Sequence, residues 1–314
     1  MSARRQRLLI TGISGLLGAN MAVSAADRWQ VSGFYWEHPF RLAVAESRRI
    51  DLRSDAELTG HLDSIRPQII AHFAASTNVD WCETHPHEAR RLNVDTTRLL
   101  ASWAAVNGCK FLFMSTDSVF DGFHGPYSEL DAPAPRNCYA ATKFEAEQLV
   151  RDIIEDHLIL RGSFYGWNVQ YKSSLAEWVL TRLQAGLVVS GFTDVTFSPL
   201  LVNTLSEIAL RMIEQDLHGT YHVASRDAIS KNAFAIAIAD VFGFPANLVH
   251  PCLLMDARLP APRPLDTSLR TDKLRDDLGI DVPFVRHELL TFRHLRDDGY
   301  VSRLRACLQI DGMM

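Results

Sequence analysis

Short apolar runs alternate with longer stretches of helical periodicity through the first half of the chain. Runs typical of β-strands occupy residues 7–12, 30–36, 68–75, 110–116 and 157–162. Between them apolar positions recur at helical spacing, as in residues 87–106, which end at the stop signal Asn107-Gly108. This alternation predicts βαβ units and a doubly wound parallel sheet of the α/β class. Because the strand segments are almost continuously apolar, we expect helices to cover both faces of the sheet.

The pattern is different in the second half of the chain. A helical segment at residues 173–185 precedes residues 188–214, which return to strand and then to helix. Residues 256–272 are rich in proline and charge, and they therefore predict an extended loop.

A glycine-rich turn links the first predicted strand to the first predicted helix. Glycine allows a tight turn and lets a pyrophosphate approach the backbone amides, while the helix start supplies free N–H donors. The turn therefore predicts a dinucleotide-binding site whose contacts are Gly12, Ser14, Gly15, Leu16, Leu17 and Gly18.

These features divide the chain into two domains. We predict a Rossmann-type nucleotide-binding domain at residues 1–165, to which residues 193–222 return. Residues 166–314 then form mainly a smaller, partly interleaved C-terminal domain for the substrate. Ligands of such sheets bind in the crevice at the carboxyl ends of the strands.

The second predicted strand leaves the choice of dinucleotide open. An acid about 20 residues after the glycine turn would bind the adenosine ribose of NAD. Glu37 lies in that region and favours NADH, whereas Arg41 could meet the 2′-phosphate of NADPH. Both cofactors remain candidates at this point.

Composition narrows the class of protein. The chain has 314 residues, 47% of them hydrophobic, so it can bury a sizeable core. A net charge of −5 argues against a nucleic-acid-binding face. Five scattered cysteines form no disulfide framework and indicate a reducing compartment. No apolar run reaches about 18 residues, and glycines interrupt the apolar stretch near the N-terminus, so we expect a cytoplasmic protein without a membrane span.

A tyrosine and a lysine lie four positions apart, at Tyr139 and Lys143. Residues at this spacing share one face of a helix. An ammonium beside a phenol favours the phenolate, so we expect Lys143 to lower the pKa of Tyr139 from about 10. Thr116 lies 23 residues before Tyr139, at the carboxyl end of the fourth predicted strand. Alone, each feature is also compatible with an ordinary helix face and an ordinary strand end.

Together, the glycine turn, Thr116, Tyr139 and Lys143 resemble the extended short-chain dehydrogenase/reductase superfamily. Within it, the chain is similar to the dTDP-4-dehydrorhamnose reductase family over nearly its whole length. The stretches that carry this resemblance are FAASTNVDWCE (73–83), STDSVFDG (115–122), YAATKFEAE (139–147), GTYHVAS (219–225) and RPLDTSLRTDKL (263–274).

The resemblance implies an NAD(P)H-dependent reductase that acts on a 4-keto-deoxysugar nucleotide. Tyr139 would protonate the ketone oxygen, and Thr116 would hydrogen-bond the same oxygen. Lys143 would stabilise the phenolate and hold the nicotinamide ribose. The family pattern adds cofactor contacts at Asp51, Leu52, Phe73, Ala74, Ala75 and Asn93. For Asn93, a buried hydrogen bond within the helix is an equally good interpretation.

The substrate implied by the resemblance is a nucleoside diphosphate sugar. We expect Asp117 and Phe164 to contact it, and Arg263 to bind its diphosphate, because a guanidinium matches phosphate oxygens. A solvated arginine in a proline-rich loop is the alternative for Arg263. A second copy of the chain in a homodimer is a further candidate partner.

Departures from the family pattern keep other functions open. Ser118 stands where the family commonly has an aromatic residue, and Leu16 stands where bacterial members have glutamine. Residues 160–166 form a run that is one residue shorter than the corresponding run of the family. Ser118 also replaces the glutamate that a sugar-nucleotide 4,6-dehydratase needs. A 4-epimerase and a non-catalytic regulatory subunit of methionine adenosyltransferase remain alternatives. We expect no metal, because Cys82, His85 and His87 lack a fourth ligand at a recognisable spacing.

Overall fold

The structure is a computed structural model that describes residues 5–42, 45–170 and 173–307. Its strands are β1 (Arg7–Thr11), β2 (Gln30–Tyr35), β3 (Ala45–Arg49), β4 (Ile69–His72), β5 (Lys110–Met114), β6 (His157–Arg161), β7 (Ser163–Tyr165), β8 (Val189–Phe192), β9 (Thr196–Phe197), β10 (Pro199–Leu201), β11 (Gly219–His222), β12 (Ile229–Ser230) and β13 (Val249–Cys252). Seven of them form one parallel sheet in the order β11-β6-β5-β4-β1-β2-β3. The predicted doubly wound parallel sheet is therefore confirmed.

Helices fill the connections between these strands. They are α1 (Leu16–Ala25), α2 (Asp55–Ile65), α3 (Val79–Thr84), α4 (Pro86–Arg90), α5 (Thr96–Val106), α6 (Cys138–Ile153), α7 (Leu175–Gln184), α8 (Val202–Glu214), α9 (Lys231–Phe242), α10 (Asp272–Leu278), α11 (Val285–Asp297) and α12 (Tyr300–Arg305). The helix predicted at 87–106 contains a π-helical turn, Arg91–Asp95, between α4 and α5. It ends as predicted, since Asn107 caps α5 and Gly108 follows with a φ of +60°.

Helices cover both faces of the large sheet, as the apolar strands predict. Successive residues of a strand point to opposite faces. Leu8 and Ile10 accordingly pack into one hydrophobic core with α1 and α8, while Leu9 packs into a second core with α2 and α5. Burial on both sides explains why these strands lack a polar face.

The sheet also contains two strands that the apolar pattern does not fully predict. Strand β3 has the sequence AESRR and pairs only with β2 at one edge, where a polar strand is tolerated. Strand β11 pairs with β6 at the other edge, and α8 packs against α1. Of residues 193–222, α8 and β11 thus join the nucleotide-binding half, whereas β9 and β10 pair outside the large sheet.

The second half of the chain forms small strand pairs around a helical core. Strand β7 pairs with β10, β8 with β13 and β9 with β12. Helices α7 and α11 both pack against α9. Within the described ranges, every helix is too short or too polar to span a bilayer.

The strand order brings the functional segments to one edge of the sheet. From β1 the chain builds outward to β2 and β3, whereas from β4 it builds in the opposite direction to β5, β6 and β11. The crossovers after β1 and β4 therefore diverge and leave a crevice at the carboxyl ends of the strands.

Candidate functional site

A cleft of about 840 Å³ lies at the carboxyl ends of the central strands. Turns that follow six strands of the large sheet, β1 to β6, line it, together with part of α6 and a segment before α7. The lining residues are 12, 14–18, 34–38, 50–53, 73–77, 114–118, 162–164, 168, 170, 173 and 174, with Trp81, Glu88, Leu92, Tyr139 and Lys143. Every residue predicted for the site lines this cleft except Asn93 and Arg263.

The three glycines of the first turn have different tasks. Gly12 has a φ of +69°, and a Cβ there would lie 2.9 Å from the Ala74 nitrogen. A Cβ on Gly18 would lie 2.2 Å from the Gly12 carbonyl oxygen. Both glycines are thus required by packing within the turn.

Gly15 lines the cleft and is less tightly constrained by the protein's own packing. Its φ is −82°, and an added Cβ would meet only the Gly12 carbonyl oxygen, at 3.2 Å. Gly15 caps α1 without a side-chain hydrogen bond, which leaves the first N–H groups of the helix for a ligand. This arrangement fits the phosphates of a dinucleotide.

The adenosine end of the cleft is formed by residues after β2 and β3. Trp36, Glu37 and His38 line the cleft, whereas Arg41 does not. Arg53 also lines it, but its Nε and Nη2 each donate to a different oxygen of Asp51 at 2.8 Å. The hydrogen bond from Arg53 holds the pKa of the Asp51 carboxyl below its usual value. The cleft therefore presents Glu37 and an arginine that is already paired.

Helix α6 carries the tyrosine and the lysine. The Asn137 side chain caps the helix by accepting from the Ala140 N–H at 2.9 Å. Tyr139 and Lys143 follow one turn apart, and the Lys143 Nζ lies 4.0 Å from the centre of the buried Phe113 ring. Thr116 lies two residues after the end of β5 and is hydrogen-bonded to Tyr139. The structure thus brings the predicted trio together in one cleft.

The electrostatics of the trio differ from the expectation. Loss of hydration raises the pKa of the Tyr139 phenol above its usual value; the hydrogen bond with Thr116 lowers it in part, and Asp117 raises it further. Burial lowers the pKa of Lys143 to about 7, while Glu147 raises it. The predicted lowering of the Tyr139 pKa is wrong, because the loss of hydration on burial outweighs the lowering by the hydrogen bond with Thr116. Tyr139 therefore keeps its proton in the neutral range.

Asn93 supports the cleft wall from behind and does not line the cleft. Its Oδ1 accepts from the Ser76 N–H at 2.8 Å, and its Nδ2 donates to Thr142 Oγ1 at 3.0 Å. The π-helical turn places Asn93 between the Ser76 loop and α6. Asn93 therefore fits the alternative interpretation, a buried hydrogen bond, and not the predicted cofactor contact.

Arg263 is also engaged elsewhere. Its Nη2 donates to Asp80 Oδ1 and its Nη1 to the Ala261 carbonyl oxygen, each at 2.9 Å. Asp80 lies on α3, which is distant in sequence, so the partner could not be recognised from the proline-rich loop alone. Of the predicted substrate contacts, Thr116, Asp117 and Phe164 do line the cleft.

Sequence reasoning missed a buried ion pair that fixes α6 to the sheet. Glu147 is fully buried and accepts from Arg161 Nη2 at 2.7 Å and from Ser115 Oγ at 2.5 Å. Ser115 precedes Thr116, so this network couples the threonine to the helix that carries Tyr139. A glutamate in a helical pattern usually marks a solvated face, and no sequence signal distinguishes this one.

The histidine and cysteine residues near residue 82 do not assemble a metal site. The His85 ring stacks on Trp81 with a centroid distance of 4.6 Å, and Cys82 is a buried free thiol. In the part of the chain that the structure describes, no group of three or more His, Cys, Asp or Glu residues could hold a metal ion.

Comparison with known proteins identifies relatives of this chain. It is 31% identical over 286 residues to the probable low-salt glycan biosynthesis reductase Agl14 of Haloferax volcanii, covering 89% of this chain and 95% of that protein. It is 30% identical over 305 residues to methionine adenosyltransferase 2 subunit beta of Danio rerio, covering 92% of each.

A solved structure is similar over nearly its whole length. The crystal structure of dTDP-4-dehydrorhamnose reductase from Bacillus anthracis strain Ames, in complex with NADP, superposes with a TM-score of 0.84 at 27% identity. The match covers 92% of this chain and 99% of that one. Residues 6–294 match the sequence model described as the RmlD substrate binding domain, and the chain therefore belongs to that family.

Proposed function

We propose that this protein is an NAD(P)H-dependent reductase of a 4-keto-deoxysugar nucleotide. The observation that carries the proposal is that Thr116, Tyr139 and Lys143 line the same cleft as the glycine turn. A proton donor and a hydrogen-bond donor then face the space beside a dinucleotide site, as carbonyl reduction requires. The reductase relatives support the same chemistry.

Each residue of the trio has a defined role in the reduction. When bound in the cleft, the reduced dinucleotide would supply hydride for the carbonyl carbon. Tyr139 donates its proton to the carbonyl oxygen, and its raised pKa keeps that proton available at neutral pH. Thr116 orients the oxygen. A phenolate formed beside Lys143 favours the ammonium form of that lysine, so Lys143 stabilises the product state.

Glu37 sets the preference between the two cofactors. Its carboxylate lines the adenosine end of the cleft, where it accepts hydrogen bonds from ribose hydroxyls and repels a 2′-phosphate. The cleft arginine that could attract the phosphate, Arg53, is paired with Asp51. The protein should therefore bind NADH more tightly than NADPH, and Glu37→Gln should narrow the ratio of the two Kd values in a fluorescence titration. A wild-type preference for NADPH would contradict this role of Glu37.

The substrate is best tested directly. Purified protein is mixed with NADH or NADPH and a dTDP-4-keto-6-deoxysugar, and loss of the reduced nicotinamide is followed by absorbance. The proposal expects loss that depends on both the sugar nucleotide and the protein. Reduced cofactor that binds but is not consumed would contradict it.

A non-catalytic regulatory role is the second candidate. The similarity to methionine adenosyltransferase 2 subunit beta is the observation that favours it. That role predicts a stable complex with a methionine adenosyltransferase catalytic subunit in size-exclusion chromatography. An epimerase role predicts instead interconversion of two sugar nucleotides without net consumption of cofactor.

A further inference from the structure

The amine of Lys143 lies over an aromatic ring of the large sheet. Its Nζ is 4.0 Å from the centre of the Phe113 ring, which belongs to β5 and is fully buried. The face of an aromatic ring is electron-rich and attracts a cation, most strongly where water is excluded. Water is excluded here, since Lys143 is only 3% exposed. The contact therefore favours the ammonium form of Lys143 over the free amine.

A histidine holds the Phe113 ring from the neighbouring strand. His72 of β4 is the cross-strand partner of Phe113, and the two rings stack with a centroid distance of 5.8 Å. The His72 ring is itself fixed at both nitrogens. Its Nδ1 lies 2.7 Å from Thr11 Oγ1, and its Nε2 lies 3.0 Å from Thr97 Oγ1. The aromatic surface under Lys143 is thus anchored in the sheet and in α5.

The hydrogen bonds around His72 also define its charge. Thr11 Oγ1 already accepts from two backbone N–H groups at 3.2 Å, so its own proton is directed to His72 Nδ1. Thr97 Oγ1 donates to a backbone carbonyl oxygen at 2.7 Å, so it accepts the proton on Nε2. His72 therefore carries one proton and no charge, and it does not repel the ammonium of Lys143.

The acid nearest to Lys143 on α6 is shared with other cations. Glu147 accepts from Arg161 Nη2 and from Arg151 Nη2, each at 2.7 Å. Burial lowers the pKa of Lys143, and Glu147 raises it only in part. Two further titratable groups act on the phenol of Tyr139, namely Asp117 after β5 and Cys82 on α3. The ring face of Phe113 is therefore a direct partner for a cation whose carboxylate is already engaged.

We propose that Phe113 is a positioning residue whose ring holds Lys143 as an ammonium, one helical turn from Tyr139. A phenolate left by proton donation needs that ammonium beside it. The consequence for turnover rests on the proposed reductase function. The contact between ring and ammonium does not, and it can be measured in the protein alone.

The contact is tested by titrating the lysine side-chain nitrogens in protein labelled with ¹⁵N-lysine. Phe113→Leu removes the ring face, so the Lys143 titration should move down by about one pKa unit from about 7. Phe111→Leu is the matched control, because Phe111 is equally buried, lies on the same face of β5 and also packs against His72. It should leave the Lys143 titration in place. Lys143→Met identifies the signal.

Pentafluorophenylalanine at position 113 separates charge from packing. Fluorination nearly preserves the shape of the ring but withdraws electron density from its face, so the ring no longer attracts a cation. The Lys143 titration should fall at least as far as in Phe113→Leu, whereas the same residue at position 111 should not move it. An unchanged titration in both Phe113 variants would overturn the proposal, and so would an equal shift in the Phe111 variants.

The effect on turnover should have a pH dependence that a packing defect lacks. Because fewer Lys143 side chains stay charged without the ring, Phe113→Leu should lower kcat by about tenfold at pH 8 and by only about twofold at pH 6. Altered packing alone predicts the same ratio to wild type at both pH values, as expected for Phe111→Leu. A loss that does not grow with pH would overturn the role of Phe113 in turnover. A shifted Lys143 titration in a protein that reduces no keto sugar would confirm the contact and overturn the proposed function.

Discussion

The two walls of the cleft are built in different ways. On the nucleotide side, consecutive turns of one parallel sheet supply the lining, and each turn directly follows its strand. On the other side, the described lining after residue 164 is only Asn168, Gln170, Ser173 and Ser174, which are polar and uncharged. The wall on the nucleotide side, the cofactor wall, is therefore fixed by the backbone of the sheet, whereas the opposite wall depends on a few side chains from loops.

Polar side chains of the second half bond to residues of the first half. Arg263 donates to Asp80, and the Thr267 hydroxyl donates to Asp117. Residues of the second half thus form one wall of the cleft and also bond to Asp117, next to the proposed catalytic residue Thr116. Substitutions on the cofactor wall should accordingly have the larger effects on turnover and on cofactor binding.

The largest expected effect is at the tyrosine. Tyr139→Phe keeps the ring and removes the proton, so kcat for ketone reduction should fall by roughly two to four orders of magnitude. The cofactor Kd should change little, since the glycine turn and Lys143 are untouched. Stopped-flow measurement of nicotinamide oxidation gives kcat, and a fluorescence titration gives Kd. Wild-type turnover in this variant would remove Tyr139 from the mechanism.

The next effect concerns the glycine turn. Gly15→Val should weaken cofactor binding by at least about tenfold, a loss of roughly 1.4 kcal/mol, while the melting temperature stays near that of wild type. The reason is that a Cβ there would meet only the Gly12 oxygen, at 3.2 Å, and Gly15 lines the cleft in which the dinucleotide is proposed to bind. Gly18→Ala is the contrasting control, because its Cβ would lie 2.2 Å from the Gly12 oxygen and should lower the melting temperature. Unimpaired cofactor binding by Gly15→Val would refute the assignment of the turn.

A third prediction concerns pH and the buried amine of Lys143. Its pKa in the folded protein is about 7, below the ordinary value of about 10.4, so the folded state binds fewer protons than the unfolded state between these values. The free energy of unfolding of the wild type should therefore rise relative to Lys143→Met, by roughly 2 kcal/mol from pH 7 to 9. Urea unfolding at the two pH values measures the difference. A difference that does not change with pH would show that Lys143 titrates normally.

The smallest effect is expected at Arg263. Arg263→Ala should leave KM for the sugar nucleotide unchanged and cost at most about 1 kcal/mol of stability, as for other partly exposed ion pairs. The guanidinium is held by Asp80 outside the cleft lining. Asp80→Ala frees Arg263 and serves as the comparison. A KM that rises several-fold in Arg263→Ala would restore Arg263 as a substrate contact.

The sequence predicts the cofactor wall well, because the patterns that identify its residues are local. Each of the five apolar strand patterns corresponds to a strand. Gly12 and Phe73 lie directly after such strands, and Thr116 lies two residues after one. Tyr139 and Lys143 are placed by a four-residue spacing within one helix. Local order along the chain is enough to bring these residues to one edge of a parallel sheet.

The sequence does not predict the contacts that join distant segments. The pairing of Arg263 with Asp80 and of Thr267 with Asp117 depends on how residues 261–267 cross the first half. The apolar pattern does not predict strand β3, because its residues are polar and an edge strand needs no apolar pattern. The pKa of Lys143 depends on burial that the four-residue spacing alone does not reveal.

The most direct test of the reductase function follows hydride transfer itself. The wild-type protein is given NADH or NADPH that carries deuterium at the transferred position, together with a dTDP-4-keto-6-deoxysugar. A reductase should reduce one sugar nucleotide for each cofactor consumed and should place deuterium at the former carbonyl carbon of the product. A protein that binds the cofactor but transfers no deuterium to any 4-keto sugar nucleotide would contradict the proposed reductase function.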